Sequence, residues 1–75
     1  TYQPTYTAVK NFTEQDMLLV KQALDRLKFY NNAAHHEAIR MLAEKFSDLL
    51  ALAERPEDNT LFLKTLLNDY IVLSR

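Results

Sequence analysis

The stretch FLKTLLNDYIVL, from Phe62 to Leu73, has the clearest helical pattern in the chain. Its large apolar residues recur at spacings of three and four, which is the period of an α-helix with one buried side. The predicted core side comprises Phe62, Leu63, Leu66, Leu67, Tyr70 and Leu73. The predicted polar side comprises Lys64, Thr65, Asn68 and Asp69. An amphipathic helix of this kind needs other helices or a sheet to cover its apolar side.

The residues just before this stretch mark the start of the helix. Arg55-Pro56-Glu57-Asp58 places a proline where a first helical turn begins, followed by two acids. Proline suits the first helical position, and the helix dipole stabilises carboxylates in the first turn. We therefore predict a helix over residues 57–73.

Two further helices are predicted upstream, separated by Asn31-Asn32. Asn tolerates the left-handed conformation that ends a helix and is also a good N-cap. The helix after this turn should cover residues 33–54. Its predicted core side comprises Ala38, Ile39, Leu42, Phe46, Leu49, Leu50 and Ala53.

The first helix should cover residues 14–30. Thr13 and Asp16 have the spacing of a capping box, and Phe12 lies where a hydrophobic staple would. The predicted core side comprises Leu19, Val20, Ala23, Leu24, Leu27 and Tyr30. Residues 1–12 show neither the helical period nor the alternation of a β-strand, and they are predicted to form an extended arm. Short connections favour antiparallel neighbours, so residues 13–75 should form one domain, a small all-α antiparallel three-helix bundle.

The composition supports an all-α fold and argues against several classes of function. The chain has no Gly, which disfavours tight hairpins, and no Cys for a disulfide or thiolate metal site. Its net charge of −1 lacks the basic excess of nucleic-acid-binding proteins. No apolar run is long enough to span a bilayer, and residues 1–11 lack the pattern of a secretory signal, so a cytoplasmic location is expected.

Apolar residues outside the predicted core sides are the strongest functional signal. They form three pairs, each eleven residues apart, one pair on each predicted helix: Leu18 and Phe29, Met41 and Leu52, Leu61 and Val72. Eleven residues are about three helical turns, so both members of a pair lie on the same side of their helix. Tyr2 and Tyr6 add aromatic anchors from the arm. These eight residues are the predicted partner-binding set, with a homodimer as the preferred form.

No chemical site is predicted. His35 and His36 are adjacent, so they point about 100° apart on a helix and do not easily share one metal ion. The carboxylates lie mostly on polar sides or in first turns, and no Ser-His-Asp set or glycine-rich phosphate loop is present. We expect no catalytic residue, no metal ligand and no cofactor.

Residues 32–42 carry one family resemblance. Asn32-Ala33-Ala34-His35-His36-Glu37-Ala38-Ile39, with Leu42, resembles the second-helix opening of tetratricopeptide-type and MIT-type helical hairpins. The resemblance implies a helical hairpin of a kind that binds peptides in grooves, and it transfers no site residue.

The sequence thus predicts a non-enzymatic protein-interaction or regulatory module. One alternative is a transcription-associated regulator that contacts nucleic acid through a helix-turn-helix at Asn31-Asn32. Another is a metal-binding helical protein that uses the His pair.

Overall fold

The computed structural model describes residues 2–74 and contains three α-helices. They are α1, Glu14–Phe29; α2, Ala33–Leu49; and α3, Asn59–Leu73. Each helix packs against the other two, and no strand occurs among the described residues. The predicted all-α three-helix bundle is therefore confirmed. Thr1 of the predicted arm and Arg75 of the predicted bundle lie outside the described residues.

Side-chain caps fix where the helices begin. Thr13 Oγ1 accepts from the Asp16 N–H and Asp16 Oδ2 accepts from the Thr13 N–H, both at 3.1 Å, which completes the predicted capping box. Asn32 Oδ1 caps α2 at 2.9 Å from the His35 N–H. In α3, Asp58 Oδ1 accepts from the Leu61 N–H at 3.0 Å, so Asp58 is the N-cap and not a first-turn residue. The helix consequently begins at Asn59, two residues after the predicted start at Glu57.

The C-terminal end of α2 corrects the predicted bound at Glu54. Ala51 adopts a left-handed conformation with φ 54°, which ends the helix at Leu49. The Ala51 N–H bonds to the Asp48 carbonyl at 3.0 Å and the Leu52 N–H to the Ser47 carbonyl at 3.1 Å. These two bonds are a Schellman motif, which glycine usually closes. Because alanine occupies the position that glycine usually takes, the sequence gives no sign that the helix ends at Leu49.

The core lies between the three helices and is closed by the N-terminal segment. Its buried apolar residues are Val9, Met17, Val20, Leu27, Ile39, Ala43, Phe46, Phe62, Leu63 and Leu66. In α1 the predicted core residues Val20 and Leu27 are buried, but the third buried residue is Met17, so the buried side is rotated away from Leu19 and Tyr30. Five residues predicted for the core sides are instead exposed: Leu19, Tyr30, Ala38, Leu49 and Ala53.

The N-terminal segment is only partly the extended arm that was predicted. Residues Thr7–Asn11 form a 3₁₀ helix that packs on α3, and Val9 lies fully within the core. Phe12 packs on Phe46 with ring centroids 5.1 Å apart, and Tyr6 meets Phe62 edge-on at 5.4 Å. The irregular spacing of the segment hid these contacts, because a 3₁₀ turn buries single residues and not a repeating side.

A buried carboxylate in α3 anchors the same segment. Asp69 has an exposed fraction of 0%, although the sequence placed it on the polar side. One oxygen accepts from the Thr5 and Tyr6 N–H groups at 3.0 and 2.8 Å, and the other accepts from the Tyr2 hydroxyl. The three donors replace the water that a buried carboxylate loses, which accounts for its position.

Candidate interaction surface

The outer side of α1 carries two large exposed side chains. Leu18 has an exposed fraction of 52% and Phe29 of 74%. At about 100° per residue, both lie opposite the buried Val20 and Leu27, and about 16 Å apart along the helix axis. Gln22 and Asp25 lie between them on the same side. The predicted geometry of this pair therefore holds in the folded chain.

A shallow depression lies on the same helix, next to Leu18. It has a volume of about 290 Å³ and is lined by Gln15, Leu18, Leu19 and Gln22. These four residues occupy positions i, i+3, i+4 and i+7, so they surround one point on the helix surface. The two leucines form an apolar centre, and the two glutamines supply polar groups beside it.

The other predicted contact residues fall into an exposed and a half-buried group. Met41 has an exposed fraction of 59% on the outer side of α2, and Leu61 is exposed near the start of α3. Leu52 lies beyond the end of α2 and packs half-buried against the core as part of the Schellman motif. The prediction that Met41 and Leu52 lie on the same side of one helix is therefore wrong. Val72 is half-buried as well.

The two tyrosines of the N-terminal segment are tied to their own bundle. Tyr6 is half-buried against Phe62, and Tyr2 is exposed at its ring but bonded at its hydroxyl to Asp69. The hydrogen bond to Asp69 raises the pKa of Tyr2, and burial and the negative charge of Asp69 add to the effect. Tyr2 thus has a defined role within the chain.

Four exposed apolar residues were not recognised as surface residues from the sequence. They are Leu19, Tyr30, Leu49 and Ile71. The sequence pattern places the first three on core sides, because the predicted sides are broader than the buried ones. Centring the α1 pattern on the spacing of Met17, Val20, Leu24 and Leu27 would have placed Leu19 and Tyr30 outside the core.

Charged residues on α2 are joined in a surface network. Arg40 pairs with Glu37 and, at 2.9 Å, with Glu44, while Arg55 lies 3.4 Å from Glu44. The Arg40 hydrogen bonds lower the pKa of Glu37, and those of Glu37 raise the pKa of Arg40. On α1, Lys21 pairs with Asp25 at 3.1 Å. These cations are engaged by carboxylates, which reduces their availability for phosphate groups.

The His pair stabilises the turn between α1 and α2. Nδ1 of His35 lies 2.6 Å from the Tyr30 carbonyl oxygen, and Nε2 of His36 lies 2.7 Å from Oδ1 of Asn31. Both acceptors lack a proton, so each histidine nitrogen donates. Within residues 2–74, no three His, Cys, Asp or Glu side chains come together as metal ligands would.

Fold and surface define the chain as a small all-α bundle whose helices present apolar residues outward. None of its described helices combines the length and the apolar character needed to cross a bilayer. The chain belongs to the family described as Domain of unknown function (DUF8484), which matches residues 1–75. No curated protein and no solved structure matches it.

Proposed function

We propose that this chain is a non-enzymatic protein-interaction module of a regulatory kind that associates with a second copy of itself. The observation that carries the proposal is the outward exposure of large apolar side chains. Within residues 2–74 these are Tyr2, Leu18, Leu19, Phe29, Tyr30, Met41, Leu49, Leu61 and Ile71. Single exposed apolar residues are ordinary, whereas residues grouped on one helix side are typical of contact surfaces.

The accessible surface of the chain supports an interface. It amounts to 5406 Å². A compact monomer of 8.8 kDa exposes about 4,800 Å², so the chain exposes roughly 600 Å² more than its mass requires. A typical partner in a stable complex buries about 800 Å². The additional accessible surface of roughly 600 Å² is therefore comparable to the area that one partner buries in a small interface.

The near-neutral net charge of the chain is compatible with self-association. With nine basic and ten acidic residues, its net charge is −1 at pH 7. Two copies therefore approach with little net repulsion, and charge near zero promotes association. Identical chains also join most simply through one surface that contacts itself across a two-fold axis.

The two alternatives stay predictions. Nucleic-acid contact requires affinity that falls steeply with added salt, which a binding titration at low salt tests. Metal binding by His35 and His36 is tested by metal analysis of the purified chain and of a variant that lacks both imidazoles.

The proposal is tested by a dilution series of ¹H–¹⁵N NMR spectra from the millimolar to the low micromolar range. We expect amide shifts that change with concentration and that map to one outer helix side with exposed apolar residues. Spectra that stay identical at all concentrations would overturn self-association.

A further inference from the structure

We infer that two copies pair through α1 in antiparallel orientation, with Phe29 of each copy inserted into the depression formed by Gln15, Leu18, Leu19 and Gln22 of the other. The inference rests on the proposed function, because it names the surface and geometry of the self-association. It commits to a second copy of this chain as the occupant of the depression.

The depression has the arrangement that receives a side chain from a facing helix. When helices pack side by side, a knob from one enters a hole bounded by four residues of the other. Gln15, Leu18, Leu19 and Gln22 have the i, i+3, i+4 and i+7 spacing of such a hole. An apolar side chain that enters there contacts both leucines, and no residue of the described chain fills the space.

Phe29 has the properties of the matching knob. Its exposed fraction of 74% is the largest among the exposed apolar residues, and it is the last residue of α1. It lies on the same side of the helix as the depression, about 16 Å from its centre. A phenylalanine this exposed gains most from burial, since aromatic side chains bury large apolar areas.

The spacing of knob and hole on one helix selects the antiparallel orientation. A two-fold axis that crosses α1 near Ala23 and Leu24 brings both copies of Phe29 onto the two depressions at the same time. A parallel pair would set Phe29 against Phe29 and leave both depressions empty. Antiparallel pairing therefore satisfies two contacts with one symmetry operation.

The residues at the middle of this surface are complementary in the same register. Antiparallel pairing with Leu18 opposite Phe29 also sets Gln22 opposite Asp25 of the second copy, because both pairs of numbers have the same midpoint. The Gln22 amide is a donor and the Asp25 carboxylate an acceptor. Lys21 pairs with Asp25 within each chain and offsets its charge. Polar residues within such a contact help to specify register.

A single helix side is a small interface. Weak complexes bury less than about 1,200 Å² in total, and we expect the α1 pair to be a weak and reversible dimer of this class. Association should therefore be visible at high micromolar concentration and be lost on dilution.

Charge complementation tests the geometry. Leu18→Glu and Phe29→Lys should each weaken dimerisation by about tenfold or more, because a charge replaces an apolar contact. An equimolar mixture of the two variants should dimerise again. In the mixed dimer one Leu18–Phe29 contact is unaltered, and the introduced carboxylate faces the introduced ammonium. Ala38→Lys, at an exposed position on α2 outside the predicted contact residues, is the control and should dimerise like the unmodified chain.

Sedimentation equilibrium is the readout, with circular dichroism confirming that each variant stays helical. If the unmodified chain dimerises and both single variants dimerise equally well, pairing through α1 is overturned while self-association stands. If the single variants are monomeric but their mixture is monomeric too, the antiparallel register is overturned. If the unmodified chain is monomeric, the proposed function fails together with the inference.

Disulfide cross-linking provides an independent measurement, since the chain has no cysteine of its own. Leu18→Cys and Phe29→Cys chains should cross-link with each other under mild oxidation far more than either does with itself. In the antiparallel pair, the two copies of position 18 lie about 16 Å apart along the axis, beyond the reach of a disulfide. Preferential cross-linking of each variant with itself would indicate a parallel pair and overturn the inference.

Discussion

The hydroxyl of Tyr2 donates a hydrogen bond to the buried carboxylate of Asp69, 67 residues away in the chain. This contact and the two backbone bonds from Thr5 and Tyr6 to the same carboxylate hold the N-terminal segment on α3. The segment in turn places Val9 in the core. One acidic residue therefore joins the beginning of the chain to its last helix.

Replacement of Asp69 by alanine should lower the free energy of unfolding by about 3 kcal/mol, because two part-buried backbone N–H groups and the Tyr2 hydroxyl lose a charged acceptor. Chemical denaturation measures the change. Asp48→Ala, which alters an exposed carboxylate, should change stability by no more than about 0.5 kcal/mol. Equal effects of the two substitutions would show that Asp69 does not anchor the segment.

The titration of Tyr2 should respond to the same contact. Its pKa is raised, chiefly by the hydrogen bond to Asp69, so its contribution to stability is complete below the ordinary tyrosine pKa of 10.0. That contribution is lost as pH rises through the higher pKa of the folded chain. Ultraviolet titration of the unmodified chain and of Tyr2→Phe should show that the substitution removes a tyrosine that ionises late. Removal of a tyrosine with an ordinary pKa would contradict the contact.

Ala51→Gly should stabilise the chain. A left-handed alanine costs about 1 to 2 kcal/mol, and the entropy that glycine loses on folding offsets part of this cost. We expect a net gain of about 0.5 to 1 kcal/mol in thermal or chemical unfolding. Ala53→Gly is the control, since Ala51 is the residue with positive φ in the described chain. A gain from Ala53→Gly as large as that from Ala51→Gly would argue against strain at Ala51.

The helices could be predicted from the sequence because their periodicity and caps are local. Thr13 with Asp16, and Asn32 before α2, specify helix starts through contacts within one turn. The end of α2 was not predictable in the same way, because glycine is the usual signal and Ala51 takes its place. Glycine is preferred there because it adopts the left-handed conformation without the steric cost that alanine carries.

Contacts between residues far apart in the chain could not be predicted from local sequence patterns. Asp69 reads as a polar-side residue within α3, and only the folded N-terminal segment supplies its donors. The outer side of α1 could be predicted in part, since the spacing of Leu18 and Phe29 places both outside the core. The sequence does not predict the depression beside Leu18, because its pattern places Leu19 in the core and the polar residues Gln15 and Gln22 do not mark a contact surface.

Sedimentation equilibrium of the unmodified chain over a concentration series, beside Phe29→Lys and Ala38→Lys, measures directly whether two copies pair through α1. We predict that the mass of the unmodified chain and of Ala38→Lys rises from the 8.8 kDa of one chain toward twice that value as concentration increases. Phe29→Lys should keep the mass of one chain over the same range. A folded, unmodified chain that remains at 8.8 kDa up to millimolar concentration would contradict the account.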